Sequence, residues 1–216
     1  ETLLSCNTCH PSLANDGVSG IALTALLARE LARTSPRLTH RFLFSPGTVG
    51  PLAWLTRNEP QLDKLAHGLV VSCVGDDGPV TYKRSRQGDS ATDRVAAGVL
   101  TGLDVDLRLE PFVPWGGDER QFCSPGFDLP VGCLSRTPHG EYPEYHTSAD
   151  NLELVSAGAL AQSWDVYRAM LNGFETKAMT LDDEFTTNTY RGRDWSWHLT
   201  FQQRNVNKTI LVGVAD

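Results

Sequence analysis

The most constraining feature of the sequence is a repeated change of period. TLLSC (Thr2–Cys6) is a short apolar run, followed by GVSGIALTALLARELAR (Gly17–Arg33), in which Val18, Ile21, Ala22, Ala25, Leu26 and Leu31 recur at helical spacing. The alternation is then repeated. THRFLFS (Thr39–Ser45) predicts a strand, VGPLAWLTRNE (Val49–Glu59) a helix, and HGLVVSCVG (His67–Gly75) another strand. Pro46-Gly47 punctuates the second strand, and Asn15 or Asp16 is the expected cap of the first helix. Strands alternating with helices build a sheet covered on both faces. The expectation is therefore an α/β chain, a three-layer α/β/α sandwich around a mixed, largely parallel central sheet.

Further along, VTYKRSR (Val80–Arg86) reads as a hairpin partner and SATDRVAAGVL (Ser90–Leu100) as a helix. DVDLRLEPF (Asp104–Phe112) reads as an edge strand, LPVGCLSR as a strand, and Leu152–Phe174 as the last clear helix. Between these lies a turn-rich segment, VPWGGDERQFCSPGFD. Periodicity weakens from Glu175, and apolar material returns only at TILVGVA, so the division is a domain over 1–174 and an unassigned segment over 175–216. The chain opens at Glu1 directly before an apolar run, and the natural polypeptide is expected to begin upstream.

Composition excludes some partners. Hydrophobic residues make up 40 % of the 216, enough for one core, and the formal net charge is −7. An acidic chain without a basic block is a poor phosphate neutraliser, so nucleic acid is not an expected partner. No apolar run approaches the roughly 18 residues of a membrane span, so no membrane partner is expected either. Five cysteines without regular spacing predict reduced thiols and a cytoplasmic location.

Cys6-Asn7-Thr8-Cys9-His10 has the spacing of a c-type haem attachment site. Cys6 ends a strand-like run, however, so the two thiols need not face the same way, and Met170 and Met179 are the only sulfur candidates for a second axial ligand. A structural zinc on Cys6, Cys9 and His10 has no second knuckle to complete it. A third reading pairs His10 with Asp16: an imidazole and a carboxylate joined by one turn at a strand end are half of a zinc site. Against it stands the plainer reading of Asp16 as a helix cap and His10 as a surface residue.

Three segments carry a family resemblance. HPSLANDGVSGIALTALLAREL, GGDERQF…GFDLPVGCL and YHTSADNLELV occur in the order in which the double-zinc aminopeptidase family carries its ligand segments. That family includes glutamate carboxypeptidases and glutaminyl cyclases. The motifs CHPSLAND, PGTVG, DERQ and EYHTS are most similar to an aminopeptidase-like zinc domain branch. The resemblance implies a zinc-exopeptidase-like fold and His10, Asp16 and His146 as metal ligands. It places Asp118 and Asp150 in support, with Asp150 orienting His146. The family's Glu-Glu pair after its second strand is missing from FSPGTVGP, and its next acidic ligand falls on Cys73. One zinc rather than two is therefore expected. Glu119 and Glu144 become the candidate general bases, each with a rival reading as a surface carboxylate or an Arg partner. Arg120 could neutralise a substrate carboxylate or pair with Glu119 or Asp118. Cys73 and Cys9 are expected to be buried or half-buried, and His139 and His40 exposed. The implied activity is a zinc-dependent aminopeptidase-like hydrolase acting on a peptide or small amide. The alternative is a zinc-binding or structural module without catalysis.

Overall fold

A computed structural model describes residues 1–177 and 211–214. Among the described residues, seven strands form one sheet in the order β5-β4-β6-β3-β1-β2-β7. They are β1 Thr2–Asn7, β2 His40–Ser45, β3 His67–Val71, β4 Val80–Lys83, β5 Leu107–Glu110, β6 Val131–Ser135 and β7 Leu211–Val214. β7, β2, β1, β3 and β6 run parallel, with Leu4 beside Phe42 on one side and Leu69 on the other. These central strands read as nearly continuous apolar runs because both faces are covered. β4 joins β6 antiparallel and β5 parallel, so the sheet is mixed. Val80–Lys83 is thus not a hairpin partner of the strand before it; β6 lies between them.

Helices α1 Gly20–Leu31, α3 Ala91–Leu100 and α5 Ala157–Lys177 cover one face, where Leu27, Phe42, Leu69, Leu134, Met170 and Phe174 meet in one core. Helices α2 Val49–Asn58 and α4 Glu119–Phe122 lie over a smaller core on the other face, built from Leu3, Leu43, Leu55, Val70 and Phe122. This is the expected three-layer sandwich. The inward face of α1 differs from the expected one: Gly20, Leu23, Thr24 and Leu27 are buried, whereas Val18 and Leu26 are largely exposed. α5 runs past residue 174. The Glu175 carboxylate accepts from the backbone N–H groups of Arg37 and Leu38 at 2.6 and 3.0 Å and lies 2.9 Å from His40 Nε2. That pairing explains why His40 is fully buried rather than exposed.

The strand order fixes where a cleft can form. From β1 the chain moves to β2 on one side, then crosses to β3 on the other, so the connections leave β1 in opposite directions. Open α/β sheets bind ligands beyond the carboxyl ends of strands at such a switch point. No helix among the described residues is long and apolar enough to cross a membrane.

Candidate metal centre

Asn7 ends β1, and the chain turns through His10 into a wide turn, Ala14–Ser19, that feeds α1. The turn is kinked at Asp16 and Gly17. Gly17 has φ +121°, a conformation that side chains resist, and a Cβ there would lie 3.3 Å from Asn7 Oδ1 and 3.4 Å from the His10 carbonyl. The kink draws Asp16 under His10. Neither Asn15 nor Asp16 caps α1 with its side chain. The start of the Ala14–Ser19 turn is instead held from far along the chain: Asp150 Oδ1 accepts the Asn15 N–H at 2.6 Å and Oδ2 the Asp16 N–H at 3.0 Å. The Asp150 carboxylate is fully buried and also accepts from the Tyr142 hydroxyl at 3.3 Å. Asp150 therefore positions the Asp16 backbone, where the sequence suggested that it orients His146. Four residues separate Asp150 from His146, but its carboxylate faces the turn ahead of α1.

His146, with φ +57°, brings Nε2 to 2.9 Å from Asp16 Oδ2. His10 Nδ1 lies 3.7 Å from the same oxygen, and the two imidazole centres are 4.5 Å apart. One donor atom from each of His10, Asp16 and His146 lies within 4.8 Å of the others. Tyr145 stacks on His146 at 4.0 Å and fixes the ring plane. Asp16 is 1 % exposed, and its Oδ1 is buried without a hydrogen-bond partner. Leaving a buried carboxylate oxygen unpaired is costly, and a cation between two imidazoles and this carboxylate would relieve that cost. Two nitrogens and one oxygen with solvent on the open side suit zinc.

The remaining candidates separate. The three side chains above line a cleft of about 170 Å³ with Asn7, Cys9, Gly47, Thr48, Asp118, Arg120 and His139. Glu119 is fully buried and ion-paired to Lys83, whose ammonium also donates to the Trp115 carbonyl. Glu144 is half-buried and absent from the cleft lining. Of the acidic candidates in GGDER, it is Asp118 that faces the cleft. Its Oδ1 accepts the Thr48 N–H at 2.8 Å, and desolvation, with help from Glu119, pushes its carboxyl up to about 6. The Arg120 guanidinium rests on the Thr48 hydroxyl at 3.2 Å rather than on a carboxylate.

His139, expected to be exposed, is 8 % exposed and lies 3.2 Å from the Ser72 hydroxyl. Burial lowers its affinity for a proton. Asp16, Cys73 and His139 form a second, wholly buried group of donor atoms within 4.8 Å of one another. The sequence carried one signal for His139, its place just after strand LPVGCLSR. Cys73 is buried as expected, but Cys9 is exposed and lines the cleft, its Sγ 3.5 Å from His10 Nδ1. Cys6 points the other way, into the core, where burial raises its thiol to about 12. The two thiols of the haem-like pentapeptide thus serve different environments.

Comparison with known proteins bears on the fold and the family. A Clostridium acetobutylicum protein is 43 % identical over 182 residues, which is 84 % of this chain and 42 % of the relative. Its name assigns it, provisionally, to polysaccharide biosynthesis with an aminopeptidase-like domain. A crystal structure from the same organism, provisionally named a peptidase, aligns with TM-score 0.78 at 43 % identity over 81 % of this chain and 41 % of that one. This chain thus spans about two fifths of the length of those relatives. An aminopeptidase from Aneurinibacillus sp. strain AM-1 shares the fold with TM-score 0.65 at 18 % identity, over 79 % of this chain and 43 % of that one. The fold is therefore aminopeptidase-like. Residues 1–177, which contain all of the cleft, match the model of the domain of unknown function DUF4910, and the chain belongs to that family.

Proposed function

We propose that this domain is a zinc-dependent, aminopeptidase-like hydrolase of peptide or small amide bonds, with one ion held by His10, Asp16 and His146. The observation that supports it best is the buried, unpaired Oδ1 of Asp16, on a carboxylate shared by two imidazoles at the carboxyl ends of the strands. When bound, zinc would supply Lewis acidity, polarising the amide carbonyl and making water acidic enough to lose a proton near neutral pH. The protein's own contribution is positional. Asp150 holds the Asp16 turn, Tyr145 holds the His146 ring, and Gly17 lets the two approach. Arg120, which rests on the Thr48 hydroxyl on the cleft wall, would orient an acidic group on the substrate.

The test is metal analysis after dialysis, followed by hydrolysis of aminoacyl-p-nitroanilides and dipeptides. About one zinc per chain with turnover is the expected result. Zinc without turnover would favour the rival reading, a zinc-binding module without catalysis. Gly47 and Thr48, which line the cleft without a carboxylate of their own, speak for that rival.

A further inference from the structure

Two carboxylates line the cleft, Asp16 and Asp118. Asp16 is committed to the two imidazoles. Asp118 has different surroundings. It stands at the start of α4, 6 % exposed, with one backbone N–H from Thr48 on Oδ1. Two glycines precede it, and Gly116 has φ +106°. A Cβ at Gly117 would lie 2.7 Å from Glu119 Oε2, so glycine in this turn leaves the Glu119 carboxylate its place. The turn sends consecutive carboxylates opposite ways, Glu119 inward to Lys83 and Asp118 outward to the cleft.

Gly47 lies beside Asp118 in the cleft lining. A Cβ built on Gly47 would sit 3.1 Å from Cys9 Sγ and 3.7 Å from Asp118 Oδ1. The carboxylate that borders position 47 is thus that of Asp118. Neither Glu119 nor Glu144 lines the cleft there.

We infer that Asp118 is the proton carrier of the hydrolytic site, presented by α4 to the cleft beside Gly47 that His10, Asp16 and His146 also line. This rests on the hydrolase reading above. The Asp118 carboxylate takes a proton from the attacking water. The water oxygen bonds to the amide carbon, the C–N bond breaks, and Asp118 returns the proton to the leaving nitrogen. One water is consumed, and a carboxylic acid and an amine leave. Burial, with Glu119 behind it, keeps the Asp118 carboxyl at about 6, suited to accept and return a proton near neutral pH.

The test is Asp118→Asn in the zinc-loaded chain, with kcat, KM and zinc content measured together. The amide oxygen can still accept the Thr48 N–H, so the cleft wall is retained. A fall in kcat of about 10²-fold or more, with KM and zinc unchanged, is expected for a lost general base. A kcat within threefold of wild type would overturn the inference and leave the hydrolase reading intact. Loss of zinc along with kcat would also overturn it, making Asp118 a support of the metal. Asp118→Glu keeps the charge and moves it by one methylene, and its kcat should lie between the other two. Equal rates for Glu and Asn would show that the charge is not what matters. A wild-type chain that loads zinc and hydrolyses nothing would overturn both readings at once.

Discussion

Replacing Asp118 by asparagine should make the zinc-free protein more stable at neutral pH, and the gain should depend on pH. The folded chain holds the Asp118 proton up to about pH 6, whereas the unfolded chain releases it near the ordinary value of 3.8. Between those values the folded state binds more protons than the unfolded state. Wild-type stability therefore falls as pH rises through the interval and is level above it. The displacement corresponds to roughly 3 kcal/mol at 1.36 kcal/mol per pH unit, and little of it is screened at a carboxylate only 6 % exposed. The asparagine variant has no such proton to lose. Its stability relative to wild type should rise by roughly 2–3 kcal/mol from about pH 4 to about pH 7, then stay constant. Urea unfolding followed by tryptophan fluorescence, with chelator present and pH stepped through that range, measures the difference directly. A gap that does not change with pH would refute the reasoning. So would a variant less stable than wild type at pH 7, the expected behaviour if Asp118 were only a structural cap for Thr48.

Other expectations follow from neighbouring residues. His146→Ala should abolish stoichiometric zinc binding, measured by metal analysis after dialysis, because two protein ligands are too few to hold the ion. Asp150→Ala should cost about 3 kcal/mol or more in urea unfolding, since it strands the Asn15 and Asp16 N–H groups and the Tyr142 hydroxyl; Asp150→Asn should weaken zinc less than His146→Ala does. Gly17→Ala should lose about 1–3 kcal/mol of stability, because φ is +121° there. In thiol titration of the native chain Cys9 should react first, as the exposed cysteine among the five, and zinc loading should slow it, since its sulfur lies 3.5 Å from His10 Nδ1.

The layered fold was legible because period is a local property. Strands buried on both faces and helices between them mark themselves in any window of ten or so residues. Strand partnership is not local, and β4 shows the consequence. Nothing in VTYK says that its neighbour will be VGCLS, more than 45 residues later, rather than HGLVV just before it. The meeting of His10, Asp16 and His146 was legible only through the family resemblance, since 130 residues separate Asp16 from His146. Asp150 was found for the right region but given the wrong neighbour. Four residues of separation suggest contact with His146, yet the positive φ of His146 turns the loop so that the carboxylate faces Asn15 instead. Glu119 and Asp118 are adjacent letters with opposite fates, decided by the Gly116-Gly117 turn and by Lys83 on a distant strand. Composition cannot tell two neighbouring acids apart; the buried ammonium does.

The clasp between Asp150 and the Asn15–Asp16 turn also bears on the order in which the protein can mature. Asn15 is bonded to Asp76 and to the Gly75 N–H as well, so the N-terminal turn is gripped by two segments translated much later. A chain still emerging from the ribosome holds His10 and Asp16 early, but lacks both the third imidazole and the carboxylate that shapes the turn. The tight grouping arises only once residues 146 and 150 are in place, and the core around Cys6 needs Val166, Tyr167 and Met170 as well. The three-donor grouping is therefore a property of the assembled domain and not of the segment that carries His10 and Asp16.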